Sequence, residues 1–204
     1  VNFVKFAFPW GQKDTPLEDF EGPRKWQEKI LRDIAVHIQR NQTIDLPEMF
    51  RLAVASGRGI GKSALVAWLI LWMLSTRLGA TIIVTANTEQ QLRSRTWAEL
   101  GKWLTLSINS HWFMKTATTI KPAPWFQEAL ERDLKIDTGY YYAQAQLWSE
   151  ENPDAFAGIH SSYGVSSPNP RATATGLPSP TRAETLARFT IPSTANAPSG
   201  SRYK

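Results

Sequence analysis

Apolar positions along this chain follow two rhythms. Over residues 22–40, GPRKWQEKILRDIAVHIQR, Trp26, Ile30, Ile34 and Ile38 recur every four residues with Leu31 and Ala35 beside them. That spacing gathers them on one face and predicts an amphipathic helix. Residues 49–56, MFRLAVAS, have a strand's length and a Leu-Ala-Val-Ala centre, which suits a buried parallel strand. A glycine-rich loop follows, then a helix over about 62–77 closed by Gly79. The run ALVAWLILWML inside it has eleven residues, too short to span a bilayer, and predicts a core helix. ATIIVTA, residues 80–86, reads as a second buried strand. TEQQLRSRTWAELGKWLTLSI reads as a second helix, starting near Thr88 and turning Leu92, Leu100 and Leu104 inward.

Strand, loop, helix, strand, helix is the opening of a doubly wound α/β sheet. Beyond it, residues 112–121 and 133–145 fit either further strands or a hairpin, and WFQEALERDLKID is ambiguous between helix and strand. Residues 1–22 read as irregular, with no signal peptide: one Lys precedes a short apolar run and no small-residue cleavage site follows.

Composition adds a boundary. From residue 166 the chain holds six each of Pro, Ser, Thr and Ala in 39 residues, and all nine Trp lie before it. So little apolar surface does not offset the entropy of ordering, so 166–204 reads as a disordered basic tail, with at most a helical turn near 182–189. Of the net charge of +5, the tail supplies Arg171, Arg182, Arg188, Arg202 and Lys204 against Glu184 alone. The remainder is almost neutral, so the basic balance is weak evidence for nucleic-acid binding, with a tail acting as a nucleic-acid tether as one alternative. The absence of cysteine excludes disulfides and thiolate metal sites.

The chemistry lies in SGRGIGKS, residues 56–63. The phosphate-loop pattern is G-x-x-x-x-G-K-[ST], and here Ser56 stands where the first Gly belongs. Gly57, Gly59 and Gly61 let successive backbone N–H groups, Ile60 among them, turn toward phosphate oxygens, and the next helix adds its positive end. Lys62 would set an ammonium between the β- and γ-phosphates of ATP, and Ser63 would offer its hydroxyl to Mg²⁺. Arg58 is a candidate catalytic group, donating charge to the γ-phosphate in cis; the alternative is a solvated loop arginine. His37, His111 and His160 lack metal-ligand spacing, and Glu150, Glu151 and Asp154 read as an acidic turn.

These residues and their surroundings resemble the N-terminal ATPase domain of the large terminase subunit of tailed bacteriophages, over roughly residues 20–165. RKWQEKIL is similar to that family's adenine-recognising glutamine segment, SGRGIGKS to its divergent, arginine-bearing loop, TIIVTANTEQQLRSRTW to the next strand and helix, and WSEENPDAFAGIHSSYGV to the lead into the second ATPase motif. The resemblance implies a P-loop NTPase-type parallel sheet flanked by helices, incomplete, over residues 23–165. It implies that Gln27 reads the adenine edge with both amide groups; the alternative is a surface helix glutamine. Trp26 reads as core. Arg93 and Arg95 fit DNA or subunit contact and a solvated helix face equally well. Double-stranded DNA, a portal protein and a small terminase subunit are the implied partners, in an oligomer in the cytoplasm of the bacterial host, with no membrane.

The family's second motif, four apolar residues and then Asp-Glu, is expected just after HSSYGV, but Asp-Glu occurs nowhere in the 204 residues. The composition shift at the same place suggests a shifted frame or interrupted gene near codon 165, with catalysis impaired. A non-catalytic nucleotide-binding module and another P-loop or helicase-like ATPase fragment are the alternatives.

Overall fold

The computed structural model describes residues 1–42, 50–54, 59–84, 90, 92–146, 164–166 and 187–191. It is an α/β fold, a mixed sheet flanked by helices. Helix α1 (Asn2–Ala7) precedes the amphipathic α2 (Lys25–Asn41), strand β1 (Phe50–Val54) and helix α3 (Lys62–Thr76). Strand β2 (Thr81–Val84) leads to a π-helical turn, Leu92–Trp97, which runs into α4 (Ala98–Leu106). Then come the hairpin β3 (Phe113–Lys115) and β4 (Thr119–Pro122), helix α5 (Pro124–Leu134) and strand β5 (Tyr142–Ala145). Two short strands complete the sheet, β6 (Gly164–Ser166) and β7 (Ala187–Ile191).

Helix α3 is the centre of the core. Ala64, Leu65 and Ala67 through Leu71 are all buried on it, with Met73 and Leu74, so it is apolar on every side, as a helix enclosed by protein must be. Among the described residues no helix is long and apolar enough to cross a membrane. Leu92, Leu100 and Leu104 point inward, as their spacing predicts. The stretch whose type was ambiguous is helical: Pro124 suits the first turn, where its missing N–H costs nothing, and Lys135 at φ 55° ends it.

The sheet order is β1-β7-β6-β2-β5-β4-β3. Strand β2 runs parallel to β5 and β6, whereas β4 is antiparallel to both β5 and β3. The expected parallel sheet is therefore mixed, and β2-β5-β4-β3 form a four-stranded mixed sheet. The cause is local. Only three residues separate β3 from β4, and so short a connection can join antiparallel strands only. Thr116 closes that turn, its N–H donating to the Thr119 carbonyl at 2.7 Å. Residues 187–191 also depart from expectation. Where a helical turn or disorder was predicted, they pair with all of β1, Phe50 opposite Ile191 and Val54 opposite Ala187. Phe189, Thr190 and Ile191 are good strand formers, and β1 offers them an edge.

Residues 1–22 are more than an irregular lead. Val4, Ala7, Phe8 and Leu17 are buried. Phe8 and Trp10 meet Trp68 of α3 and Trp103 of α4 with ring centroids 5.0 to 6.4 Å apart. A six-residue helix has no stability of its own, so nothing periodic announces α1 in the sequence; packing creates it. Lys5 also pairs with Glu28 at 2.8 Å, tying α1 to α2 and holding the Glu28 carboxyl below its usual range.

Tyr141, fully buried just before β5, donates its hydroxyl to the Leu74 carbonyl in the last turn of α3. That carbonyl is among the four a helix end leaves without a helical partner. Burial pushes the phenol well above its ordinary range, so it stays a donor. Tyr141→Phe keeps the ring and strands the carbonyl, which should cost about 1–3 kcal/mol. Urea unfolding followed by circular dichroism measures it; no change would show that the carbonyl finds another donor.

Candidate functional site

The end of β1, Val54, five residues before Gly59, lies at a defined side of the sheet. Strand β1 is antiparallel to β7, β7 is antiparallel to β6, and β6 is parallel to β2. Hence β1, β2 and β5 all run the same way and end on one side. In open α/β sheets, the crevice outside the carboxyl ends of the strands is where ligands bind. The π-helical turn carrying the exposed Arg93 and Arg95 is the next described element in sequence after β2 apart from residue 90, and π-turns often accompany functional sites.

Of the proposed loop, Gly59, Ile60, Gly61, Lys62 and Ser63 are described; Ser56, Gly57 and Arg58 lie outside the described residues, as do Glu150, Glu151, Asp154 and His160. Gly59 has φ +76° with open space where a side chain would project. Gly61, at φ 92° and ψ 25°, is the left-handed residue that starts α3. Lys62 and Ser63 are half-buried on the first helical turn, and the N-cap residue, Gly61, has no side chain with which to cap that helix end.

Gln27 is brought onto this loop from 34 residues away. It is 2% exposed, which rules out a surface helix glutamine. Its Oε1 accepts from the Arg24 backbone N–H at 2.8 Å, the return half of a capping box that starts α2. Its Nε2 donates to the Gly61 carbonyl at 2.9 Å. The same carbonyl accepts the Leu65 N–H at 3.1 Å, so both its lone pairs are used. One lone pair of Oε1 and one hydrogen of Nε2 are thus engaged by protein partners, so adenine recognition would have to use the second position of each group or replace these bonds. The Arg24-x-x-Gln27 spacing is the sequence signal for the first bond; nothing local signals the second.

The other candidates are structural where described. Trp26 packs half-buried against the core, its indole Nε1 buried without a hydrogen-bond partner among the described residues. His37 shares a 2.9 Å hydrogen bond with Asn41 and lies against the Phe50 ring at 5.0 Å, joining α2 to β1. His111 stacks on Trp125, 6.0 Å between centroids and 9° from parallel. Among the described residues no three His, Asp or Glu side chains gather as a metal site.

Two left-handed glycines, one open, and a helix start whose N-cap is a glycine suit a polyphosphate, and the Ser63 hydroxyl suits a hard cation brought with it. No family model matches the chain, and neither a curated protein nor a solved structure matches it.

Proposed function

We propose that residues 23–165 are the ATP-binding part of a viral DNA-packaging motor of the terminase large subunit type, a P-loop NTPase domain that binds the nucleotide better than it turns it over. The observation that supports it most is the left-handed Gly61 as the N-cap of a deeply seated helix, with Lys62 and Ser63 on its first turn. In this reading the amides of the 56–63 loop hold the triphosphate, Lys62 neutralises its outer phosphates, and Ser63 meets the Mg²⁺ that accompanies it. Bound Mg²⁺ would spread the phosphate charge and orient the terminal group. Arg58 adds a second positive charge. Double-stranded DNA, a portal protein and a small terminase subunit are the partners of this proposal, in an oligomer within the host cytoplasm.

Just after residue 165, where the resemblance places an Asp-Glu pair to position an attacking water, the sequence reads SSPNPRATATG, and this favours binding without turnover. The same observation equally suits a nucleotide-binding module that was never catalytic.

Titration with a fluorescent ATP analogue and Mg²⁺, alongside phosphate release, tests the proposal. The wild-type chain should bind, Lys62→Ala should bind at least about tenfold more weakly, and released phosphate should stay near the blank. Absence of binding by the wild type would sink the nucleotide reading. Vigorous turnover abolished by Lys62→Ala would sink the claim of impaired catalysis.

A further inference from the structure

The resemblance makes Gln27 a base reader, but its surroundings point elsewhere. A buried amide with both ends bonded to backbone, one end in α2 and the other in the loop, is placed as a strut. Gly61 is closed on the side facing it: a Cβ there would lie 2.9 Å from Gln27 Nε2. With Gln27 in this position, any side chain at 61 would crowd its amide. By holding the Gly61 carbonyl, Gln27 fixes the orientation of the peptide that joins Gly61 to Lys62. The N–H of that peptide belongs to Lys62, at the start of α3, where a phosphate would sit.

We infer that Gln27 is a positioning residue for the phosphate loop, setting the Gly61–Lys62 peptide from the N-terminus of α2, and that it serves any polyphosphate regardless of base. The inference rests on the loop's being a nucleotide site, and it separates from base reading by what is lost when the residue changes.

The full chain is titrated with ATP, GTP and inorganic tripolyphosphate, each with Mg²⁺, as wild type and as Gln27→Ala. A strut predicts weakening by a common factor, about tenfold, for all three. A base reader predicts that ATP binding weakens while tripolyphosphate binding is unchanged, and that result overturns the inference. Amide hydrogen exchange without nucleotide supplies the second arm. The amides of residues 59–64 should exchange faster in Gln27→Ala while those of Thr81–Val84 do not change. Equal exchange at the loop overturns the inference too. Should the wild type bind none of the three, the nucleotide reading fails, and exchange alone then decides whether the strut exists. If Gln27→Ala does not fold, Gln27→Glu replaces it: the shape and the acceptor for the Arg24 N–H remain, and an oxygen faces the Gly61 carbonyl where a donor stood. It is expected to give the same uniform loss.

Discussion

Trp68→Ala is expected to destabilise the protein by about 3–5 kcal/mol, the cost of emptying a large aromatic site in a packed core. Trp68 is 2% exposed on the central helix, and Phe8, Trp10 and Trp103 all face its ring. Three separate pieces of chain, the N-terminal segment, α3 and α4, meet at this one side chain. Its loss should therefore loosen residues 1–22 as well as the helix pair, visible as faster proteolysis in the N-terminal segment. Trp68→Phe should cost much less. The Trp68 indole Nε1 is buried with no hydrogen-bond partner among the described residues, and an unsatisfied buried donor is itself worth about 1–3 kcal/mol against the fold. Phenylalanine removes that donor while keeping part of the volume, so the two terms oppose. Chemical denaturation of the three proteins by circular dichroism measures the difference. If Trp68→Ala cost no more than Trp68→Phe, the aromatic cluster would not be holding the N-terminal segment.

What could be read from the sequence divides along physical lines. Helix α2, the apolar α3 and the inward leucines of α4 were legible because helical period and burial leave a local signature at the right spacing. The mixed sheet was not, because strand direction depends on which strands become neighbours; the hairpin left open for residues 112–121 was the one clue to antiparallel pairing. Helix α1 and strand β7 owe their form to partners far along the chain, Trp68 and Trp103 for one and β1 for the other. At the candidate site, Gly61, Lys62 and Ser63 announced themselves by spacing. The Gln27–Gly61 bond joins two motifs 34 residues apart, and no local pattern encodes such a distance.

That bond also makes the two described loop glycines unequal, and Gly61→Ala is expected to cut triphosphate affinity by about a hundredfold or more, whereas Gly59→Ala should cut it only several-fold. Both residues sit in the left-handed region, Gly59 at φ +76° and Gly61 at φ +92°, so alanine at either brings backbone strain of about 1–2 kcal/mol. There the likeness ends. A Cβ at position 59 meets nothing within 4 Å, so strain is the whole penalty. A Cβ at position 61 meets Gln27 Nε2 at 2.9 Å, and Gln27 is buried and tied to the Arg24 N–H. Relief requires either breaking the Gln27–Gly61 bond or moving the first turn of α3, whose next turns are locked in the core. Either course disturbs the Gly61–Lys62 peptide, which is what a triphosphate would touch. Isothermal titration of ATP against both variants, with melting curves to confirm that each is folded, gives the comparison. Equal losses would mean that only the shared backbone strain matters and that the contact with Gln27 has no bearing on the site. A larger loss at Gly61, recovered in part by Gln27→Ala in the same chain, would assign the excess to that contact.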